Sequence, residues 1–400
     1  MRLSSPSDVQ RQRGPSRTTL VAALLGGVGI LGAVLLGSAL LVVLIAVLVL
    51  AVATTAEAKR AGRRWRRGEF LVRGASFACL NLGGALVRRV IRPDYVFVLY
   101  AETDRDKRLY FPRWVERLLR PVFPSGLIHF GRYWGMMVAG KATAETFESS
   151  PDRLRALLDN TRERFPHVQV IALAGRLPSI AAAQGVSLDG PFLDGDRGTL
   201  CAMMGAAHEQ AELLGKTPSE VSIAVPGGDG FIGRQLVVEL AREFREVIAL
   251  DPRLEEDRGW RNNVLFTHRP EDVARAQAVL VLTARGEETA DVVPYLAPGT
   301  VVADDTHPEI PESLRERMVA AGVTVLKASV GDRRCRIRPR IPIFRSDDIP
   351  GCLLEALVVV HRGKEVLASQ AAFNAAAREI GFRARLAPHI SSRRRAPSPT

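Results

Sequence analysis

Thirty-one residues, Val221 to Asp251, restrict this chain to a narrow set of folds. Val221–Val225 is a mostly apolar, β-branched run, and Pro226-Gly227-Gly228-Asp229-Gly230-Phe231-Ile232-Gly233 follows it at once. Gln235–Phe244 then has the apolar spacing of an amphipathic helix, and Glu246–Leu250 is a second apolar run closing on Asp251. Two strands joined through a helix must lie parallel, because only a crossover returns the chain to the same end of a sheet. The spacing Gly228-x-Gly230-x-x-Gly233 sits at the strand-to-helix turn, where it has a physical meaning. Gly228 is read as the tight turn, Gly230 as the place where backbone can approach a pyrophosphate, and Gly233 as the close helix–strand contact. The N–H groups of Asp229, Phe231 and Ile232 then face the phosphates at a helix N-terminus. Asp251, 23 residues after Gly228, stands where a carboxylate can accept from ribose hydroxyls and repel a 2′-phosphate. NADH is therefore favoured over NADPH, although Arg253 lies close enough to accommodate a phosphate.

Further strands are expected at Tyr95–Tyr100, Val168–Ala174, Ala278–Thr283, Thr300–Ala303 and Thr324–Ala328. Helices are expected at Asp152–Phe165, after the Ser150-Pro151 start signal, and at Thr199–Gly215. Pro112 to Pro124 reads as an aromatic, proline-punctuated connection. The alternation predicts an α/β fold: a doubly wound parallel-sheet dinucleotide-binding domain over 216–350 and a smaller α/β substrate domain over 94–215. Residues 351–386 read as C-terminal helices and 387–400 as a disordered basic tail.

The N-terminal end is of another kind. Leu20–Ala53 is 34 residues without a charge, whereas about 20 apolar residues cross a bilayer. It is also far longer than the apolar core of a signal peptide. A transmembrane segment over 20–56 is expected, as one span or as a re-entrant hairpin. Residues 1–19 form an exposed basic tail, and 57–93 a basic amphipathic stretch beside the membrane. Lys59, Arg60, Arg63, Arg64, Arg66 and Arg67 follow the apolar run directly, which places the C-terminal body in the cytoplasm and offers a contact for anionic lipid. The formal charge of +12 is carried by the two ends, +7 over 1–70 and +5 over 383–400, leaving 71–382 balanced. A nucleic-acid partner is accordingly not demanded. The four cysteines have neither disulfide-scaffold nor zinc spacing, and no metal site is expected.

A dinucleotide says nothing about the substrate, so the reactive side chains are weighed next, the cysteines first. Cys79 and Cys201 lie in apolar surroundings and read as inert; Cys335, among Arg333, Arg334, Arg336 and Arg338, reads as part of a solvated basic strand. Cys352 follows Pro350-Gly351 and opens an apolar helix over Leu353–Val360, where exposure and the helix N-terminus would activate a thiol.

A series of short runs is similar to the aldehyde-forming long-chain acyl-(acyl-carrier-protein) reductases. The runs are Ile171-Ala172-Leu173-Ala174-Gly175, Pro178-Ser179-Ile180 and Gly195-Asp196-Arg197-Gly198-Thr199. They continue with Leu214-Gly215, the glycine fingerprint, Gly322–Lys327, Cys352-Leu353-Leu354-Glu355-Ala356 and Gly381-Phe382. The resemblance covers roughly residues 132–386 and lies in order and spacing more than in any single motif. It departs at Asp196, where the family has Asn, at Asp251-Pro252-Arg253, and in a shorter segment from Cys352 to Gly381. It implies an NADH- or NADPH-dependent reduction of a long-chain thioester, carried by acyl carrier protein or coenzyme A, through an acyl thioester on Cys352; that family is generally soluble, and the expected membrane segment makes this chain an anchored version of it. A thiolate is both nucleophile and leaving group, so one cysteine suits both halves of such a reaction. Thr199 and Lys327 are candidate donors to the transient oxyanion, and Glu355 is a catalytic or helix-orienting candidate. Two alternatives stand: a catalytically silent dinucleotide-binding membrane protein with a sensing or scaffold role, and another two-domain oxidoreductase such as a shikimate-dehydrogenase-like enzyme. Oligomeric state is not readable.

Overall fold

The computed structural model describes residues 92–389, apart from 108–115, 117–118, 255–258, 340, 342–343 and 346. Among the described residues no helix is long and apolar enough to cross a membrane. The expected membrane segment over 20–56, its flanks over 1–19 and 57–91, and Cys79 lie outside them.

The protein is an α/β molecule with two sheets. In the first, β1 (Tyr95–Ala101) lies between β3 (Tyr133–Thr143) and β4 (Ile171–Leu173), parallel to both. Beyond β4 is β5 (Phe192–Leu193), also parallel; beyond β3 is the antiparallel β2 (Val122–Phe130). β2 occupies part of what the sequence reads as a connection, because the strand tolerates Pro124 at a bulge between Pro124 and Gly126. Helix α1 (Ala144–Ser149) leads into α2 (Pro151–Arg164), which starts with proline, has Asp152 in its first turn and ends on Arg162 and Arg164. Leu154, Leu157, Leu158 and Thr161 form its one buried face, set against Val96, Val98 and Val138. α3 (Leu177–Ala183) follows β4.

The second sheet is built from β6 (Ser222–Pro226), β7 (Glu246–Leu250), β9 (Val264–Thr267), β10 (Ala278–Val281), β11 (Val301–Asp304) and β12 (Thr324–Gly331). Their spatial order is β9-β7-β6-β10-β11-β12, all parallel. This is the 3-2-1-4-5-6 order of a dinucleotide-binding sheet, with its reversal between β6 and β10. Every residue of β6, β10 and β11 is buried, the reason these runs are continuously apolar rather than alternating. β8 (Gly259–Arg261) edges the sheet beside β9.

Sheet membership does not follow chain order at the C-terminal end. After β12 the chain crosses to the first sheet as β13 (Cys335–Arg338) on β2, then returns with β14 (Asp348–Ile349) and β15 (Arg383–Ala387), both antiparallel to β12. The expected disordered tail therefore begins too early. Ala387 is in a strand and His389 is buried against Asp304 and Glu309, because β12 would otherwise leave an unpaired edge. Between the sheets pass α4 (Asp196–Leu213) and α7 (Gly351–Arg362), with α5 (Phe231–Leu240), α6 (Glu312–Ala320) and α8 (Gln370–Ile380) completing the layers. α4, α5 and α7 all begin earlier than expected, each inside its own glycine motif. One buried apolar cluster includes Phe97 and Ile128 of the first sheet, Met203 and Leu357 of the two helices, and Ile223 and Leu280 of the second sheet. The sheets share a core.

Candidate functional site

The glycine turn has its expected shape with one change of role. Gly227, not Gly228, takes the left-handed conformation at φ 88°, and a Cβ there would lie 2.7 Å from the Leu282 carbonyl. Gly228 instead allows close approach to β7, its Cβ position being 2.9 Å from the Ala249 Cα. Gly233 packs on the turn so closely that a Cβ would lie 2.1 Å from the Gly227 oxygen. Gly230 is the N-cap of α5 and no side chain caps the helix, so the start is open to a phosphate, with Phe231 exposed and Ile232 turned toward the core.

Two Asp–Arg pairs flank this turn. Asp229 is held in a two-pronged contact by Arg234, at 3.0 and 2.8 Å. Asp251, 2% exposed, accepts from Arg253 Nε at 2.9 Å, from its Nη2 at 2.8 Å, and from the Asp229 N–H at 3.2 Å. Burial would raise the Asp251 pKa, but these bonds outweigh it and carry the carboxyl below its ordinary value. The carboxylate expected to meet the ribose is thus already neutralised by an arginine whose side chain is 66% exposed. A charge that would repel a 2′-phosphate is offset, so the geometry does not select NADH over NADPH.

Cys352 stands at the start of α7, directly against the start of α4. A Cβ on Gly195 would lie 2.8 Å from the Cys352 Cβ, and one on Gly351 2.6 Å from the Thr199 Cα. On Gly198 it would lie 2.2 Å from the Gly351 oxygen. Glycine at all three positions lets two helix N-termini meet backbone to backbone, a join no other residue type permits. Glu355, 1% exposed, seals it by accepting from the Gly195 and Gly198 N–H groups at 3.3 and 3.2 Å. It orients the two helices. Burial, with Asp194 nearby, lifts its pKa to about 7. Thr199 donates its hydroxyl to the Gly195 carbonyl at 2.8 Å, which commits its proton inside the helix.

The activated thiol expected at Cys352 is not what the fold presents. Burial pushes it up to about 12, and the charge of Asp305 adds to this. The backbone of Gly175, Leu353 and Cys352 itself pulls the other way without prevailing. Cys201 matches its reading as a buried core residue, burial raising it to about 11; Cys335 does not sit solvated as expected but points inward from β13, fully buried and raised to about 12, while Arg336 and Arg338 face out.

Lys327, 4% exposed near the middle of β12, donates to the Thr306 carbonyl at 3.2 Å. Its charge draws down Asp305, which burial nonetheless holds at about 6. The same ammonium and burial depress His307 to about 4. The sequence reading passed over Asp305, Tyr100 and Gly175. Each follows or ends a predicted strand, and strand carboxyl ends are where doubly wound sheets meet ligands; that signal was available.

The helix that follows the fingerprint is connected to Cys352 through two intermediate residues. Gln235 on α5 donates to Asp196 at 3.1 Å, and Asp196 adjoins Gly195, which touches Cys352. Asp196 is lifted by burial and by Asp194 to about 7, and its other oxygen is buried without a partner. Glu102 after β1 pairs with Arg176, which follows β4 of the first sheet, and with Arg285, which follows β10 of the second, the latter at 3.7 Å. Among the described residues no cluster of His, Cys, Asp or Glu suits a metal ion.

No family model and no curated protein matches the chain. Solved structures similar to parts of it include shikimate dehydrogenase from Aquifex aeolicus, 13% identical, covering 71% of this chain and 97% of that one at a TM-score of 0.35. Dipicolinate synthase from Bacillus subtilis is 16% identical over 58% of this protein and 69% of that one, with a TM-score of 0.31. A D-isomer specific 2-hydroxyacid dehydrogenase from Xanthobacter autotrophicus Py2, solved with NADPH, is 19% identical over 38% and 75%, with a TM-score of 0.27. The strand order itself, rather than these partial likenesses, defines the fold.

Proposed function

We propose that the protein is an NAD(P)H-dependent oxidoreductase, and specifically a membrane-anchored reductase that converts a long-chain acyl thioester of acyl carrier protein or coenzyme A to the aldehyde through Cys352. The observation that carries this reading is the contact series Gln235–Asp196–Gly195–Cys352, which sets the thiol beside the dinucleotide helix. The glycine turn fits a dinucleotide: Cβ positions at Gly227, Gly228 and Gly233 are all excluded, and the start of α5 is uncapped. Gly228, Gly230 and the first-turn N–H groups would hold the pyrophosphate, with Asp251 and Arg253 at the adenosine ribose. The nicotinamide, when bound, supplies hydride. The chain supplies the acyl attachment point: Cys352 attacks the thioester carbonyl, the carrier thiol leaves, and the acyl group stays on sulfur. The backbone of Gly175, Leu353 and Cys352, which acts to lower the thiol pKa, would favour negative charge there. The charge of Asp305 acts the other way, so removal of the thiol proton is the demanding step. Thr199, with its proton committed to Gly195, and Lys327, which donates to the Thr306 carbonyl, are weaker donors to an oxyanion.

The raised thiol pKa favours a second reading, a dinucleotide-binding protein without turnover. Intact mass after incubation with long-chain acyl-coenzyme A, alongside NADH or NADPH oxidation and aldehyde trapping, separates the two. An acyl adduct lost in Cys352→Ser, with aldehyde lost in parallel, supports reduction. Cofactor binding with neither adduct nor aldehyde supports the silent protein, and aldehyde formation that survives the substitution refutes the thioester route.

A further inference from the structure

The end of the first sheet remote from Cys352 carries a feature that the reductase chemistry does not use. Cross-strand register sets Arg336 of β13, His129 of β2 and Trp134 of β3 in one row on one face. Trp134 is 48% exposed, its ring 4.5 Å from that of His129, and Arg336 is exposed beside them. At the same end lie Arg132 in the β2–β3 turn and Arg333 just before β13, both exposed. His361 and Arg362, at the C-terminal end of α7, close this edge; the ring of His361 is 5.9 Å from that of Tyr133. Arg334 pairs with Asp332 and Arg362 with Glu379, so part of the positive charge is balanced and Arg132, Arg333 and Arg336 make the excess.

The described residues also begin here. The Asp94 N–H donates to the Trp134 carbonyl at 2.7 Å, and Asp94 Oδ2 accepts from the Trp134 N–H at 2.7 Å. Exposed Arg92 therefore enters the fold beside Trp134, and in the sequence it follows the basic residues Arg88 and Arg89. An indole among arginines is the pairing found where protein meets lipid headgroups, since the ring is amphipathic and the guanidinium binds phosphate.

We infer that the face formed by Arg92, Arg132, Trp134, Arg333 and Arg336 rests on an anionic lipid surface, orienting the folded body with this end of the first sheet against the bilayer. The inference rests on the reading of Leu20–Ala53 as a membrane segment. α7, 12 residues long, then runs from the lipid side at Arg362 to Cys352, a span of about 15 Å.

The test uses the full chain on phosphatidylcholine vesicles with and without brominated phosphatidylglycerol. Tryptophan quenching by the anionic brominated lipid is expected to lose a component in Trp134→Phe and none in Trp260→Phe, whose indole lies on β8 at the far edge of the other sheet. Added salt and the double substitution Arg132→Glu, Arg336→Glu should each abolish the Trp134 component while the protein still floats with the vesicles. Flotation without a Trp134 component overturns the docked face and leaves the anchor intact; failure of the wild type to float overturns both. A Trp134 component unchanged by charge reversal also refutes the inference. If charge reversal leaves that component but abolishes turnover of acyl carrier protein thioesters in detergent, the face belongs to the acidic carrier instead.

Discussion

Cys352 illustrates how position and environment oppose one another. A helix N-terminus favours thiolate, yet burial at the junction of α4 and α7 dominates and holds the thiol at about 12. Alkylation of Cys352 by iodoacetamide, followed by peptide mass mapping, should then rise about tenfold per pH unit between pH 7 and 9, because thiolate remains the minor form throughout. A rate already flat above pH 7 would show an activated thiol. Asp196 gives a second residue-scale expectation. Its carboxyl is lifted to about 7 in the fold against an unfolded value near 3.8, so the folded state holds the proton longer. Ionisation therefore disfavours folding increasingly from about pH 4 to 7, and fully above that. Asp196→Asn, whose amide oxygen can still accept from Gln235, should raise Tm at pH 8 and change it little at pH 4. A larger gain at pH 4 would reverse the sign of the argument.

At the scale of elements, the join of α4 to α7 depends on Glu355 satisfying two buried N–H groups. Glu355→Ala leaves both without a partner and should cost about 2–4 kcal/mol in urea unfolding. Glu355→Gln, which keeps one acceptor, should cost less. The turn between β6 and α5 has no such tolerance: Gly233→Ala sets a methyl against the Gly227 oxygen and should abolish NADH binding, read by fluorescence titration. Removing the guanidinium in Arg253→Ala frees Asp251, and the ratio of NADH to NADPH affinity should rise about tenfold, the worth of one charge-assisted hydrogen bond. In the second sheet β6, β10 and β11 were legible because burial along their whole length makes them mostly apolar, whereas β8 and the half-buried β9 were not read. β2 and β3 were harder to read: Pro124 and Gly126 in β2 signal a loop, and only the bulge against β3 makes them compatible with a strand.

For the whole molecule, the shared core and the transfer of β13 to the first sheet mean that neither sheet is complete on its own stretch of sequence. Urea unfolding followed by tryptophan fluorescence and by circular dichroism should give coincident single transitions, although Trp134 and Trp260 lie on different sheets. Two separated transitions would show independent domains. Glu102, paired with Arg176 after β4 and Arg285 after β10, couples the two sheets at their strand ends.

What the sequence determined alone is local: the strand–glycine–helix unit of 221–251, the acidic residue closing it, and a thiol opening a helix at 352. Each depends on neighbours a few residues away, through backbone sterics and apolar periodicity, and each was readable for that reason. Tertiary structure decided what those pieces face. Asp251 was readable as a carboxylate, but its bond to Arg253 was not; Cys352 was readable at a helix start, but the burial that raises its pKa was not. Asp305 and Tyr100 become part of the site only when strand ends distant in the sequence converge. Charge, solvation and proton affinity follow the whole surroundings of a group, and for these residues the surroundings are assembled by the fold.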